Sequence, residues 1–394
     1  MSGLADIADI GTDPRRGGYS RHVFDDAERQ LREWFVEQAQ RRGLDVHTDA
    51  NANMWAWWGE PGDDAVVTGS HLDSVPGGGA FDGPLGVTSA LQAVDVLRAR
   101  GFQPRRPFAV VVFAEEEGGR FGVPCLGSKL LTGQIDPDRA RNLRDAGGLT
   151  FAEAMADFGA DPARAGRDDA ALRRIGQFVE LHVEQGKGLI ELGRPVGVAD
   201  SILGHGRWRF RFHGQGNHAG ATRIDDRRDP MLPAAELVLA ARRAAEAADD
   251  ARATVGRIVP TPGGTNVIAS AVDVHLDARA PERSRELVAD LSARAAEFAA
   301  HEGCEVEVLE ESFGETVHFD PTMRDRLRDL LHGAPALPSG AGHDAGILAA
   351  ERPTGMLFVR NPTGISHAPE EHAEQADCEE GSLALADVLQ ELAR

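Results

Sequence analysis

The chain has 394 residues, with 42 Lys and Arg against 63 Asp and Glu, which gives a formal net charge of −21. A chain of this length is expected to form two or three domains. A protein this acidic repels phosphate backbones and anionic lipids. We therefore expect neither nucleic-acid nor membrane partners. The three cysteines lie far apart in the chain, which excludes a disulfide scaffold and a cysteine-based zinc site.

Neither a membrane span nor a secretory leader is predicted. No uninterrupted apolar stretch approaches the ~20 residues that a membrane helix needs. Residues 1–18 lack the basic start and apolar run of a secretory signal. We therefore expect a cytoplasmic protein.

Helices alternate with fully apolar strands in the outer parts of the chain. Residues 25–43 carry apolar side chains at helical spacing and end on a glycine. The further predicted elements are a strand at 65–68, a helix at 87–99, and strands at 107–114, 178–181 and 356–359. Such strands indicate a sheet covered by helices on both faces, which predicts an α/β fold. In these sheets the ligand lies beyond the carboxyl ends of the strands.

The middle of the chain has a different pattern. Residues 207–213 alternate strictly between polar and apolar, as expected for a strand with one face in water. The elements that follow are a helix at 231–248, strands at 253–259 and 272–279, a helix at 283–301 and a strand at 304–310. The order β-α-β-β-α-β is that of a ferredoxin-like sandwich. We therefore predict a second domain, 209–322, inserted into a first domain formed by 1–208 and 323–394.

Polar side chains follow each of the four buried strands. His71 and Asp82 flank a glycine-rich loop after the first strand, three consecutive glutamates end the second, and His182 and His367 follow the third and fourth. Asp73 could accept the other N–H of His71, as metal-binding histidines usually require. Taken alone, each feature has an ordinary explanation as a tight turn, a solvated acidic loop or a structural histidine. Together they supply nitrogen and oxygen ligands suited to a hydrolytic site with two metal ions.

Several segments resemble one known family. The segments are GSHLDS, FDG, AEEEGGRF, ELHVEQG, NHAG, GGTNVI, SGAGHDA and GISHAPEE. They resemble the M20 metallo-amidohydrolases, and within them the hydantoinase/carbamoylase branch of allantoate amidohydrolases and N-carbamoyl-L-amino-acid hydrolases. The resemblance covers roughly residues 15–394, with all segments in order. It implies an aminopeptidase-like catalytic domain that binds two metal ions, and a lid and dimerisation role for the inserted domain.

The resemblance also implies a set of metal ligands. They are His71, Asp82, Glu117, His182 and His367. One ion would be held by His71, His182 and Asp82. The second would be held by Glu117, His367 and Asp82, so that Asp82 would bridge the two ions. Glu116 would be the general base, and Glu115 would have no direct role. Members of the family use Zn, Mn, Co or Ni, and the ligand set does not distinguish among them.

Residues of the inserted domain match substrate-contacting positions of the family. His218, Asn266 and Arg279 match such positions, and Gln185 of the catalytic domain matches another. Arg279 can pair with a substrate carboxylate, while His218 and Asn266 can stabilise a developing oxyanion. Without the resemblance, Arg279 would be interpreted as a surface charge and Asn266 as a turn residue. In the family His218 comes from the partner subunit, which implies a homodimer formed through the inserted domain.

The sequence departs from the family in one loop. Residues 221–224 read ATRI, where the family often has a Thr-Pro-Met type sequence. Arg223 adds positive charge there, which leaves the choice of substrate open. His343 and Asp344 are expected to line the same cleft, with no assigned step.

The predicted function is metal-dependent hydrolysis of a ureido C–N bond in a small anionic substrate. The substrate would be allantoate or an N-carbamoyl-L-amino acid, and the products would include ammonia and CO2. In this prediction Glu116 deprotonates the attacking water and then protonates the leaving nitrogen. An alternative within the same chemistry is hydrolysis of another N-substituted amino acid, N-formyl or N-acyl, or of a dipeptide. An alternative from another class is a non-catalytic, metal-dependent binding protein, but neither the base nor any ligand is missing.

Overall fold

The computed structural model describes residues 2–281 and 283–394. The helices are α1 (Ser2–Asp6), α2 (Asp26–Arg41), α3 (Pro84–Ala99), α4 (Leu126–Thr132), α5 (Pro137–Arg141), α6 (Phe151–Asp157), α7 (Asp169–Arg174), α8 (Gly188–Glu191), α9 (Met231–Glu246), α10 (Ser284–His301), α11 (Pro321–Leu330), α12 (Asp344–Leu348) and α13 (Gln375–Leu392). The strands are β1 (Asp45–Thr48), β2 (Met54–Trp58), β3 (Ala65–His71), β4 (Phe108–Phe113), β5 (Ile175–Val183), β6 (Val196–Ile202), β7 (His205–His213), β8 (Asn217–His218), β9 (Arg252–Thr261), β10 (Val267–Ile268), β11 (Ala271–Arg279), β12 (Glu305–Gly314), β13 (Val317–His318), β14 (Ala336–Ser339) and β15 (Thr354–Val359). Among the described residues, none of the helices combines the length and apolar character needed to span a bilayer.

The chain divides into two compact units. Unit 2 is Leu203–Val317, and unit 1 comprises the described residues before and after it. The sequence analysis placed these boundaries at 209 and 323. Unit 2 begins earlier because β7 already starts at His205, and it ends earlier because the N–H of Phe319 donates to the carbonyl of Asp200 in unit 1. The lid and dimerisation roles of the inserted part stay predictions.

Unit 1 is built on a mixed sheet. Its strand order is β1-β2-β4-β3-β5-β15-β6-β13, and β14 pairs with β6. β3 runs parallel to β4 and β5, and β5 runs parallel to β15, whereas β2 and β6 pair antiparallel with their neighbours β4 and β15. Every residue of β3, β4 and β15 is buried, as expected for central strands that are covered on both faces. The predicted α/β class is therefore confirmed.

The parallel strands bring several loops to one edge of this sheet. His71 is the last residue of β3, and His182 lies at the end of β5. The loop after β4 carries Glu116 and the loop after β15 carries His367. Since parallel strands end at the same edge, these side chains converge although they are far apart in sequence.

Unit 2 is an antiparallel sheet with two helices. The strand order is β12-β7-β11-β9, which is the ferredoxin-like order when β7 is counted first. The apolar side chains of β7, from Trp208 to Phe212, lie in a core with residues of α9 and α10. The alternating arginines of β7 lie on the opposite face, where Arg211 approaches Asp273 of β11 at 3.7 Å. The predicted order β-α-β-β-α-β is observed, with two additional short strands, β8 and β10, which pair with each other.

Candidate metal centre

One group of three ligand atoms lies at the ends of β3 and β5. The Nε2 atom of His71 is 3.5 Å from Oδ1 of Asp82, and the Nε2 atom of His182 is 3.2 Å from the same oxygen. All three side chains are buried, and one ligand atom from each lies within 4.8 Å of the others. This trio matches the first ligand set implied by the resemblance.

The two imidazoles of this group have a defined orientation. Nδ1 of His71 lies 3.0 Å from the carbonyl oxygen of Asp73, and Nδ1 of His182 lies 2.9 Å from that of Val183. A carbonyl only accepts hydrogen bonds, so each Nδ1 carries a hydrogen. Both Nε2 atoms are buried without a hydrogen-bond partner among the described residues. Buried nitrogens of this kind, aimed at a carboxylate, fit a divalent cation between them.

A second group shares Asp82 with the first. His367 Nε2 lies 3.2 Å from Oε2 of Glu117 and 3.6 Å from Oδ2 of Asp82. One ligand atom from each residue again lies within 4.8 Å of the others. Asp82 therefore presents one oxygen to each group, as a bridging carboxylate does. The mixture of imidazole and carboxylate ligands suits a divalent transition-metal ion.

Charges in the centre alter the pKa values of its histidines. Burial favours the neutral form of His71, but the carboxylates of Glu116, Asp82 and Asp73 outweigh it and raise its pKa well above the usual value. The hydrogen bond with Glu117 raises the pKa of His367 to about 9. Protonated imidazoles therefore neutralise part of the acidic cluster when no cation is bound.

Glu116 belongs to neither donor group. Its Oε2 lies 3.5 Å from Nε2 of His71, and its Oε1 accepts a hydrogen bond from the thiol of Cys125 at 3.4 Å. Burial raises its pKa well above the usual value; attraction to His71 opposes this rise, and repulsion from Asp344 and Glu117 adds to it. Glu116 is thus a buried carboxyl group beside the two donor groups, where it can gain or lose a proton, and its role as the general base stays a prediction.

Asp73 contacts His71 through a different group from the one expected. The His71 ring donates to the backbone carbonyl of Asp73, while the nearer carboxylate oxygen of Asp73 is 3.7 Å away from the same nitrogen. The carboxylate instead accepts hydrogen bonds from the N–H groups of Glu116 (3.2 Å) and Glu117 (3.1 Å). Asp73 therefore orients the histidine with its main chain and the glutamate loop with its side chain.

Gln185 contacts the carboxylate of Asp82, which the two donor groups share. Its side-chain amide donates to Oδ2 of Asp82 at 2.7 Å and to the hydroxyl of Ser366 at 3.0 Å. Ser366 also donates to Oδ2 of Asp82, at 3.2 Å. Substrate contact by Gln185 stays a prediction, and its observed contact is with a predicted metal ligand.

Other buried residues lie around the centre, and the sequence analysis assigned none of them a chemical step. Glu180 accepts hydrogen bonds from the Ser70 hydroxyl (2.7 Å) and the Ala345 N–H (3.0 Å). His343 packs edge-on against the ring of His182, with centroids 4.6 Å apart. Asp344 accepts a hydrogen bond from Ser128 and is fully buried. The SGAGHDA segment pointed to His343 and Asp344, and the available signal for Glu180 was a carboxylate inside the otherwise apolar strand 178–181.

Glu115 and Glu371 also organise the loops of the centre. Glu115 Oε1 accepts hydrogen bonds from the N–H groups of Arg120 (3.0 Å) and Phe121 (2.7 Å), which closes the loop after β4. Glu371 accepts two backbone hydrogen bonds next to Asp82. The only available sequence signal for Glu371 was the pair of glutamates that ends the GISHAPEE segment.

The substrate residues predicted in unit 2 fall into two places. His218 lies in β8, which pairs with β10, and the N–H of Ala219 donates to the carbonyl of Asn266 at 3.0 Å. Arg279 is the last residue of β11, where its Nε donates to Asp277 at 2.9 Å. Since β10 precedes the start of β11, the length of this strand, about 25 Å, separates Arg279 from the other two. Arg223 is exposed before a short 3₁₀ turn.

Comparisons with known proteins agree with the fold. Residues 67–391 match the model of peptidase family M20/M25/M40. An N-carbamoyl-L-amino acid amidohydrolase of Geobacillus stearothermophilus is 36% identical over 400 residues, covering 99% of this chain and 97% of the relative. An allantoate amidohydrolase of Escherichia coli is 31% identical, covering 98% and 96%.

A solved structure is also similar over the whole chain. An amidase of the hydantoinase/carbamoylase family from Burkholderia multivorans has a TM-score of 0.87 and 31% identity, covering 100% of this chain and 96% of its own. The predicted family, fold class and enzyme class, a hydrolase acting on linear amides, are thereby confirmed. The chain belongs to peptidase family M20/M25/M40 and, within it, resembles the hydantoinase/carbamoylase amidases.

Proposed function

We propose that this chain is a metal-dependent amidohydrolase that cleaves a ureido C–N bond of allantoate or an N-carbamoyl-L-amino acid. The observation that carries the proposal is the pair of donor groups that share Asp82 beside a buried glutamate, Glu116. The names of the relatives, which are N-carbamoyl-L-amino acid and allantoate amidohydrolases, support the bond that is cleaved. The products would be ammonia, CO2 and an amino acid, or ureidoglycine in the case of allantoate.

Two divalent cations, Zn, Mn, Co or Ni, fit the donor groups. His71 and His182 would hold one with Asp82, and Glu117 and His367 would hold the other with Asp82. When bound, such cations act as Lewis acids and lower the pKa of water towards neutrality. An ureido carbon is a poor electrophile, so this activation is what the reaction needs.

Glu116 would move the proton of the reaction. Its Oε1 is held by the thiol of Cys125, which leaves Oε2 as the oxygen on the side of His71. Burial raises the pKa of Cys125 well above its usual value, and the nearby carboxylate adds to this, so the thiol stays a donor. Glu116 would therefore take a proton from water at Oε2 and return it to the departing nitrogen.

Substrate binding would involve two copies of the chain. Within one copy of unit 2, Arg279 ends β11, a strand of about 25 Å, whereas His218 and Asn266 lie in or next to the β8–β10 pair before that strand begins, so one small substrate would not reach all three. A homodimer resolves this if Arg279 of one copy and His218 of the other serve the same site. Met231, Leu232 and Leu239, which are exposed apolar residues of α9, support a contact through unit 2.

Subunit complementation tests this arrangement. The H218A and R279A variants are each expected to lose activity. Heterodimers formed by co-refolding or co-expression retain one intact site of two, so an equal mixture should regain about a quarter of the native activity. If the mixture forms heterodimers but regains no activity, the two residues do not serve one site from different copies. They would then come from the same copy, or take no part in a site.

The reaction is tested with a substrate panel. Allantoate, N-carbamoyl-L-amino acids, N-formyl-L-amino acids and dipeptides are incubated with the manganese-loaded protein, and both ammonia and the freed amino acid are measured. We expect ammonia release from at least one ureido substrate. Amino acid without ammonia would instead identify the formyl, acyl or dipeptide alternative. If neither ammonia nor a freed amino acid is detected while two cations are bound, the proposal is overturned.

A further inference from the structure

Glu371 links the two loops that carry Asp82 and His367. Its side chain is 5% exposed, and its Oε2 accepts hydrogen bonds from the N–H groups of Phe81 (3.1 Å) and Asp82 (3.2 Å). The donors lie 290 and 289 positions away along the chain. One buried carboxylate oxygen thus satisfies two consecutive backbone N–H groups just before α3.

A short turn joins His367 to the same carboxylate. The N–H of Glu371 donates to the carbonyl of Ala368 at 3.1 Å, so the chain folds back directly after His367. The Nε2 atom of His367 lies 3.6 Å from Oδ2 of Asp82. The distance between this imidazole and the Asp82 carboxylate therefore depends on where Glu371 is anchored.

Gly79 provides the space that Glu371 occupies. A Cβ atom built on residue 79 would overlap the carboxylate of Glu371. Gly79 is not among the residues with positive φ, so its backbone conformation does not require glycine. The close approach of Glu371 is therefore the physical reason for glycine at this position.

We propose that Glu371 is a positioning residue for the second cation site, formed by Asp82, Glu117 and His367. The inference rests on the proposed two-cation function. All three ligands of this site come from loops, whereas His71 and His182 of the first site are held in strands. Loss of the Glu371 acceptor leaves two buried N–H groups unpaired and frees the Asp82 loop, so the second cation should lose more affinity than the first.

The test is a cation titration of the full chain. The protein is freed of metal with a chelator and titrated with Mn²⁺ by calorimetry, and the bound metal is counted after desalting. We expect two ions in the native protein and, in E371L, an affinity for the second ion that is lower by about 10-fold or more. E371Q keeps an acceptor oxygen and should stay within about 3-fold of native. Glu370 is exposed, so E370L is the matched control and should bind both ions as the native chain does.

The outcomes separate this inference from the proposed function. A native chain that binds fewer than two ions contradicts the two-cation site itself. If the native chain binds two ions and E371L binds the second with unchanged affinity, the role of Glu371 is overturned. An E371Q variant that binds the second ion as weakly as E371L does would overturn it as well. If E371L does not fold by circular dichroism, G79A displaces the same carboxylate from the other side and should weaken the second ion more than the first. An unaffected G79A would then overturn the inference.

Discussion

The histidines of the first donor group face the centre through Nε2 because a main-chain carbonyl engages each Nδ1. The carbonyls belong to Asp73 and Val183, and any residue type could supply them. The orientation of His71 and His182 is therefore a property of the backbone path beside each strand end. The residue types predicted the ligands, but they did not predict which nitrogen of each ring is available.

Glu116 is the residue whose removal separates catalysis from metal binding. E116Q keeps the shape of the side chain, but its amide cannot take a proton from water as a carboxylate does. We expect kcat to fall by about 10²–10⁴-fold, because general-base catalysis contributes that much. Metal content should stay at the native value, since Glu116 belongs to neither donor group. Native turnover in E116Q would remove Glu116 from the mechanism.

Cation binding should release protons at neutral pH. The pKa of His367 is raised to about 9 by Glu117, so this imidazole is protonated at pH 7 in the cation-free protein. A ligand nitrogen must be neutral, so the proton leaves when a cation binds. Affinity for the second cation should rise by about 10-fold per pH unit below pH 9 for each released proton and level off above it.

Calorimetry in buffers of different ionisation enthalpy counts the released protons. H367N, which lacks a titratable imidazole, is the control and should release one proton fewer than the native chain at pH 7. An equal proton count in the two proteins would contradict the assignment of the proton to His367.

At the scale of elements, the start of α3 is placed directly against the first donor group. Gly83 precedes the helix with φ +83°, and a Cβ there would overlap the ring of His71. Gly86 allows the first turn to approach the carbonyl of Leu181 in β5 in the same way. Two glycines therefore let one helix lie across the ends of two strands, which fixes the loop that carries Asp82.

G83A should damage the metal centre more than the fold. Gly101 also has positive φ, +67°, but no atom lies within 4 Å of a Cβ built there. Both substitutions carry the conformational cost of a side chain at positive φ, about 1–2 kcal/mol. Only G83A displaces His71, so only G83A should weaken the first cation, by about 10-fold or more. Equal cation affinity in G83A and G101A would show that the ring of His71 adjusts without loss.

At the scale of the whole molecule, the cation ligands and the second apolar core belong to different units. All five predicted ligands lie in unit 1, whereas unit 2 has its own core of β7 and β11 side chains packed with α9 and α10. Loss of cations should therefore destabilise one unit and leave the other unchanged.

Hydrogen exchange after chelation tests this separation. A ligand present at 100 times its Kd stabilises the folded state by about 2.7 kcal/mol. Removing the cations should thus speed amide exchange about 100-fold where opening is coupled to the site, in peptides of β3, β5 and the loops after them. Peptides of β7 and β11 should exchange at an unchanged rate. A uniform increase in both units would mean that they open together.

The sequence by itself determined the elements and the residue types at their ends. Apolar runs such as 107–114 can be interpreted locally, because burial on both faces demands apolar side chains at every position. The convergence of His71, His182 and Glu117 followed from the rule that parallel strands end at one edge of a sheet. The element order of unit 2 was likewise evident from alternating patterns such as RWRFRFH.

Only the tertiary structure decided how the centre is held. His71 contacts the backbone carbonyl of Asp73 and not, as had been expected, its carboxylate. Gln185 donates to Asp82, and Glu371 accepts a hydrogen bond from a backbone N–H that lies 289 positions away. These are single hydrogen bonds between loops whose paths carry no periodic pattern. Their partners are chosen by which buried donor and acceptor meet after the sheet has formed, so no local feature of the sequence specifies them.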